Sequence, residues 1–238
     1  MNLIEIILLF LMAFLPALIY TVWIRNTEKY NREKWIPIIL CFIWGATIAI
    51  LASIILELLI ENIAIFTVND SNIYLFITIS IIAPFAEELT KPLVLSLKIV
   101  KRELVEPEDG LIYGAIAGLG FSATENLLYG ADAFLNEGLL YFILLISIRS
   151  FSGCLLHASA TAWTGYGYGK VVMKHNRLIS VLPYFILAII VHGFYNFILT
   201  FDDILTGLSI GFLSAIIFVI ISIYFIRKKI IKLDALNR

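Results

Sequence analysis

Apolar residues in this chain come in long uninterrupted blocks instead of the short periodic stretches of a water-soluble domain. A helix needs about 20 apolar residues to cross the hydrocarbon core of a bilayer. Blocks of roughly that length cover residues 3–24, 36–60, 73–97, 110–130, 139–168, 179–200 and 207–226. The pattern predicts an all-α integral membrane protein, a polytopic bundle of about seven transmembrane helices, with eight possible.

Polar segments between these blocks are short, and the longest is the charged run at 101–109. No stretch is long enough for a separate soluble domain. We therefore interpret residues 1–238 as a single transmembrane helical domain, with the site-bearing helices within about 73–200.

Basic residues predict the orientation, because cytoplasmic loops near helix ends carry the excess of Lys and Arg. All but two of the 17 basic residues follow the first, third, fifth and seventh blocks, whereas the intervening loops hold only acids such as Glu61, Asp132 and Asp202. This alternation predicts an N-terminus outside the cell and a cytoplasmic C-terminus. The exceptions, Lys91 and Arg149, lie inside apolar blocks.

Overall composition supports the bilayer as the solvent: mean hydropathy is +0.97, 61% of residues are hydrophobic and 15% are charged. The net charge of -1 hides the basic loops, which topology explains without a nucleic-acid partner. Both cysteines, Cys41 and Cys154, lie within predicted helices, so no disulfide framework is indicated.

Ionisable side chains inside these blocks are the candidates for chemistry, since each costs on the order of 3 kcal/mol near the bilayer centre. They are joined by two asparagines, and the set is Glu87, Glu88, Lys91, Glu125, Asn126, Arg149, His157, His192 and Asn196. At 1.5 Å rise per residue, the glutamates and histidines lie ~16–24 Å from the nearest cytoplasmic charge of their helix. One layer near the midplane could hold Glu87, Glu125, His157 and His192.

Two imidazoles and several carboxylates on neighbouring helices favour two chemistries. They could bind zinc, leaving another carboxylate as the general base. Without a metal, a glutamate could activate water while histidine and asparagine stabilise the oxyanion. Both schemes yield peptide hydrolysis, and the residues alone leave the choice open.

Four motifs in order, each on a separate predicted helix, resemble a known family. They are Glu87–Lys91 (EExxK), Phe121–Asn126 (FxxxEN), His157–Thr161 (HASAT) and His192–Asn196 (HxxxN). The chain resembles the PrsW-type intramembrane proteases, relatives of the CAAX prenyl endopeptidase and bacterial ABI group. The CAAX motifs would need arginine at Pro92 and histidine at Glu125, which disfavours prenylated substrates.

The resemblance implies an intramembrane endopeptidase that cleaves membrane-anchored substrates, for example an anti-sigma-factor-like protein. We assign catalytic roles to Glu87, Glu88 and Asn196, metal-binding roles to Glu125, His157 and His192, and supporting roles to Lys91, Phe121, Asn126 and Arg149. Zinc is the expected cofactor, with the metal-free mechanism as the alternative. The expected location is the cell membrane, multi-pass, in a prokaryote, and the oligomeric state stays open.

The rival class is an ion- or proton-coupled transporter, in which the same buried carboxylates and histidines would relay protons or bind an ion. We found no internal duplication, which weakly disfavours a transporter built from inverted repeats.

Overall fold

The computed structural model describes residues 2–64, 68, 70–200 and 210–237, and within them every regular element is helical. The helices are α1 (Leu3–Arg25), α2 (Trp35–Trp44), α3 (Ile50–Ala64), α4 (Ser71–Ile77), α5 (Ala83–Thr90), α6 (Lys98–Lys101), α7 (Asp109–Glu137), α8 (Leu139–Lys174), α9 (Leu182–Thr200) and α10 (Ile210–Asp234). Asp202, Asp203, residues 207–209 of the last predicted block and Arg238 lie outside the described residues.

Six stretches in the described part of the chain are long and apolar enough to cross a membrane: Leu3–Arg25, Trp35–Ile63, Ser71–Ser96, Leu139–Lys174, Leu178–Thr200 and Gly211–Asp234. The polytopic helical class is thus confirmed. The remaining predicted helix, α7, is long enough, but its glycines and polar residues lower its hydropathy. From Asp109 to Ala123 it is buried throughout, so protein surrounds it in place of lipid.

The bundle departs from the predicted loops between α7 and α8. Residues 131–138 were expected to form a polar loop, yet α7 continues to Glu137 and α8 begins at Leu139. Gly138 alone joins them, with φ at +90°, a conformation that favours glycine. Polar residues such as Asp132 do not end the helix, because the side chain of Asp132 is exposed on the surface of α7.

Three of the basic segments meet at one end of the bundle. Lys34, after α1, forms an ion pair of 2.8 Å with Glu103, which follows α6. Arg227 in α10 donates through Nε to the hydroxyl of Thr27 at 3.0 Å. Their common location agrees with the charge pattern, and the direction of this end relative to the membrane stays a prediction.

Close packing of α7 against α8 depends on rows of small residues. Gly110 packs against Gly165, Gly114 against Thr161, and Gly118 against the backbone of His157. A Cβ atom on Gly118 would lie 2.3 Å from the carbonyl oxygen of His157, inside van der Waals contact. Glycine therefore lets α7 approach the turn of α8 that carries this histidine.

The segment around Glu87 and Glu88 leaves α-helical geometry on both sides. A π-helical turn, Thr78–Ile82, precedes α5, and a 3₁₀ segment, Lys91–Ser96, follows it. Pro84 and Pro92 stand near the starts of α5 and the 3₁₀ segment, and each removes a backbone hydrogen-bond donor. These irregular turns bracket the acidic pair and set its direction within the bundle.

Candidate active site

Four side chains from three helical segments converge inside the bundle: Glu87 and Glu88 from α5, His157 from α8 and His192 from α9. We call these four residues the membrane cluster. Each offers one potential ligand atom, and these atoms all lie within 4.8 Å of one another. None is more than 7% exposed. The single layer inferred from helix rise therefore brings the acidic pair and both histidines together.

Lys91 lies at the centre of the membrane cluster. Its Nζ donates to Glu87 Oε2 at 2.7 Å and to Glu88 Oε1 at 2.8 Å, and it lies 2.8 Å from His157 Nδ1. The ring of Phe121 covers it, with the centroid 4.2 Å from Nζ. The fully buried ammonium thus compensates the charge of two buried carboxylates. A metal bound by the same atoms would replace these contacts.

Glu88 is held from three directions. Besides its bond from Lys91, its Oε1 lies 3.0 Å from His192 Nδ1 and its Oε2 accepts a hydrogen bond from Thr161 Oγ1 at 2.8 Å. Every oxygen of this fully buried carboxylate is therefore partnered. Glu87 is less constrained: His157 Nδ1 and His192 Nε2 lie 3.6 and 3.8 Å from its Oε2.

Glu125 enters from α7 on the far side of His157. Its Oε2 lies 2.8 Å from His157 Nε2, and its Oε1 is 3.0 Å from Arg149 Nη2. Arg149 also donates through Nε to Asn126 Oδ1 at 3.1 Å. The arginine is therefore the counter-ion of Glu125, and the group of potential ligand atoms within 4.8 Å does not include this glutamate.

Asn196 lies one helical turn beyond His192 and supports the irregular backbone of the neighbouring segment. Its Nδ2 donates to the carbonyl oxygen of Ile79 at 3.1 Å, within the π-helical turn. A hydrogen bond from a side chain satisfies a carbonyl that this turn displaces from regular geometry. Asn196 also lines a cavity beside Glu87.

That cavity has a volume of about 440 Å³ and carries both polar and apolar lining. Glu57, Glu87, Glu125, Arg149 and Asn196 supply the charged and amide groups, and Ile54, Leu128 and Leu199 are among the apolar ones. A second cavity, of about 520 Å³, lies on the other side of the acidic pair, where Glu88, Leu89 and Phe185 contribute to an almost wholly apolar wall. The two glutamates thus separate a polar cavity from an apolar one.

Two polar residues of the site were missed from the sequence. Thr161 ends the His157–Thr161 motif but is not among the predicted site residues, although its spacing of four residues from His157 places it on the same face of α8. Glu57 was not singled out, and its signal was a carboxylate inside the second apolar block. In the structure it lines the polar cavity.

A family model described as PrsW family intramembrane metalloprotease matches residues 33–225. This range contains every residue of the membrane cluster. The chain belongs to the PrsW family.

Bacterial relatives agree with this membership. The chain is 30% identical to a protein named Protease PrsW from Clostridioides difficile over 200 residues, which cover 82% of this chain and 80% of the relative. A Protease PrsW from Oceanobacillus iheyensis is 28% identical, covering 77% and 79% of the two chains. One from Shouchella clausii is 25% identical, covering 81% and 83%. No solved structure matches the chain.

Family membership and the buried cluster together make this chain a multi-pass intramembrane protease of a metalloprotease family. The resemblance read from the four motifs is confirmed. The transporter alternative loses its support, because the same carboxylates and histidines are the potential metal ligands of a PrsW family member.

Proposed function

We propose that the membrane cluster hydrolyses peptide bonds of membrane-anchored proteins in a prokaryotic cell membrane, with an anti-sigma-factor-like protein as the model substrate. The observation that carries the proposal is the convergence of Glu87, Glu88, His157 and His192 within 4.8 Å, with Glu87 at the wall of a partly polar cavity. Buried acids and imidazoles are costly inside a bilayer, so their convergence favours chemistry over packing.

Zinc fits the donor set, because imidazole nitrogens and carboxylate oxygens are its usual ligands. His157, His192 and one glutamate of the acidic pair would hold it, and the other glutamate would serve as the base. When bound, zinc would polarise the scissile carbonyl and lower the pKa of water. Asn196 lines the cavity wall and would donate a hydrogen bond to the developing oxyanion.

Glu125 was expected to bind the metal, and the geometry supports a positioning role better. Its carboxylate lies against His157 Nε2, which leaves His157 Nδ1 directed at the acidic pair. A carboxylate on the outer nitrogen fixes the tautomer and the ring orientation of a metal-binding histidine. Arg149 in turn fixes the carboxylate through its 3.0 Å ion pair.

A metal-free mechanism uses the same groups. Glu87, at the cavity wall, would take a proton from water, and Lys91 would compensate the remaining carboxylate. Metal analysis separates the two mechanisms: we expect about one zinc per active chain and loss of activity with a chelator. An active preparation without metal would leave the glutamate mechanism.

The test of the protease uses purified protein in lipid vesicles with a single-span reporter substrate. Glu87→Gln, Glu88→Gln, His157→Ala and His192→Ala are each expected to lower cleavage by at least about 100-fold. Glu137→Gln, which changes an exposed acid at the end of α7, is the matched control and should cleave like the wild type. Mass spectrometry of the products should place the cut within or near the transmembrane segment.

Full cleavage by the Glu87→Gln and Glu88→Gln variants would overturn the assignment of the membrane cluster. A cut in a distant soluble loop would overturn cleavage within or near the membrane.

A further inference from the structure

A second group of acids lies at the end of the bundle where the basic segments meet, outside the membrane-spanning helices. Glu28 belongs to the loop after α1, and Glu106 and Glu108 belong to the loop that precedes α7. One carboxylate oxygen from each of the three lies within 4.8 Å of the others. We call these three residues the loop cluster. By helix rise it lies ~24 Å from Glu125, the site residue carried by α7.

Burial makes this grouping costly. Glu28 and Glu108 are fully buried, although both belong to loops. Like charges brought together away from water require compensation from a proton or a cation.

Hydrogen bonds from the described residues reach only some of the carboxylate oxygens of Glu28 and Glu106. Glu28 accepts one bond through Oε2, from the backbone N–H of Glu33 at 3.2 Å. Its Oε1 is buried and accepts none from the described residues, and the same is true of Glu106 Oε2. The group of three carboxylates therefore includes a fully buried side chain, that of Glu28, with one oxygen that accepts no hydrogen bond from the described residues.

Arg25 and Arg32, two arginines near the loop cluster in the described part of the chain, each direct Nε to a backbone carbonyl oxygen. Arg32 donates through Nε to the backbone carbonyl of Glu28 at 3.2 Å, and Arg25 donates through Nε to that of Glu33 at 2.6 Å. Lys34, a further base of this loop, pairs with Glu103. The two arginines therefore fix the loop backbone, and Lys34 connects this loop to the segment after α6.

We propose that Glu28, Glu106 and Glu108 form a binding site for a divalent cation of the calcium and magnesium class. All three offer oxygen, the ligand that these hard cations prefer, and no imidazole or thiolate is among them. Oxygens bound to calcium at about 2.3–2.6 Å can lie up to about 5 Å apart, which matches the spacing of the loop cluster. This chemistry separates it from the membrane cluster, whose two histidines suit zinc.

Cation binding would connect the loop after α1 to the segment that begins α7. Asp109, the first residue of α7, already accepts from the backbone N–H groups of Val105 and Glu106 at 2.7 Å. Asp234, at the end of α10, accepts from the N–H groups of Lys29 and Tyr30. The cation would therefore fix a junction of three segments, one of which continues into the helix that carries Glu125.

The test measures the Tm of the purified full chain in lipid nanodiscs, freed of metals by a chelator and then titrated with calcium chloride or magnesium chloride alone. We expect the Tm to rise with the logarithm of the cation concentration and to be about 5–10 °C higher at a concentration about 100 times the Kd. Glu28→Gln and Glu106→Gln should each abolish this rise. These variants keep the side-chain shape and remove a like charge, so they are expected to fold.

Two controls separate this site from other sources of stabilisation. Glu103→Gln alters an acid in the same loop outside the cluster and should keep the full rise. Glu87→Gln disables the membrane cluster and should also keep it, so the proposed protease and the cation site succeed or fail independently. Equilibrium dialysis with radioactive calcium should find one bound ion per chain in wild type and in Glu87→Gln, and none in Glu28→Gln.

The proposal is overturned if neither cation raises the Tm and no calcium is retained by the wild type. It is equally overturned if the rise persists in both Glu28→Gln and Glu106→Gln, or if Glu87→Gln alone removes it.

Discussion

Lys91 shows at the scale of a single residue how the site balances its charges. The ammonium contacts Glu87, Glu88 and His157, three of the four potential metal ligands, at 2.7 to 2.8 Å. Lysine and metal would therefore compete for the same atoms. In the absence of metal, Lys91→Met should lower the free energy of unfolding by about 3–5 kcal/mol, because two buried carboxylates lose their counter-ion.

The same Lys91→Met variant should bind zinc more tightly than the wild type, and zinc should restore its stability. Tm measured with and without zinc checks both effects. Lys98→Met, which changes an exposed lysine on the neighbouring segment, should behave as the wild type does. An unchanged Tm in metal-free Lys91→Met would contradict the proposed charge balance.

Glu125 supplies a second prediction at this scale. If its carboxylate positions His157, Glu125→Gln should weaken zinc binding by about 10–100-fold without unfolding the protein. Competition with a coloured zinc chelator measures this affinity directly. Asp132→Asn, on an exposed turn of the same helix, is the control. Equal affinities of the two variants would exclude the positioning role.

How far these residues could be predicted depends on what spacing encodes. Helix rise placed Glu87, Glu125, His157 and His192 in one layer, and all of them meet in the structure. Spacing does not determine how each helix is rotated about its axis. The pairing of Glu125 with Arg149, and its location on the outer nitrogen of His157, therefore emerged only from the packed structure.

At the scale of elements, the contact between α7 and α8 determines the position of His157. Gly118→Ala would place a Cβ atom 2.3 Å from the carbonyl oxygen of His157 and should push the two helices apart. Such overpacking costs about 1–3 kcal/mol. We expect a lower Tm and reduced cleavage of the reporter substrate.

Gly153→Ala is a matched control within the same pair of helices, because the nearest atom to its Cβ, Ser122 Oγ, lies 3.8 Å away. It should retain both the stability and the activity of the wild type. Equal effects of the two substitutions would show that the close approach at Gly118 does not position the histidine.

The helices also show which features a pattern of apolar residues can encode. Apolar blocks indicated where the spans lie, but not the π-helical turn at Thr78–Ile82 or the 3₁₀ segment at Lys91–Ser96. These turns depend on tertiary partners, such as the amide of Asn196 on the carbonyl of Ile79. The low hydropathy of α7 is likewise explained only once its burial from Asp109 to Ala123 is known.

At the scale of the whole molecule, buried acids predict how stability depends on pH. Burial, followed by the neighbouring Asp109, raises the pKa of Glu33 to about 10, and Tyr113 donates a hydrogen bond to its carboxylate. The folded protein then retains a proton that the unfolded chain releases near pH 4.5. Stability contributed by this proton is lost as the pH rises from about 4.5 through about 10.

With a chelator present, the Tm should therefore fall from about pH 6 to about pH 9, and Glu33→Gln should make that decline shallower. Glutamine carries no titratable proton and keeps a hydrogen-bond acceptor for Tyr113. Glu103→Gln, in the ion pair with Lys34, should leave the slope unchanged. Identical slopes in wild type and Glu33→Gln would show that Glu33 does not control the pH dependence.

The orientation of the whole molecule in the membrane is predicted by the placement of its charges, whereas its internal contacts do not determine it. An ion pair and a hydrogen bond place the basic segments at one end of the bundle, and the excess of Lys and Arg predicts that this end is cytoplasmic. Both native cysteines, Cys41 and Cys154, are fully buried, so a single introduced cysteine can report which side of the membrane it faces.

A membrane-impermeant maleimide should label Asp132→Cys on intact cells, and it should label Lys98→Cys only after lysis. Labelling of Lys98→Cys on intact cells would reverse the predicted topology and place the loop cluster outside the cell. It would leave the membrane cluster unchanged, because the contacts that form it do not depend on which side of the membrane each end faces.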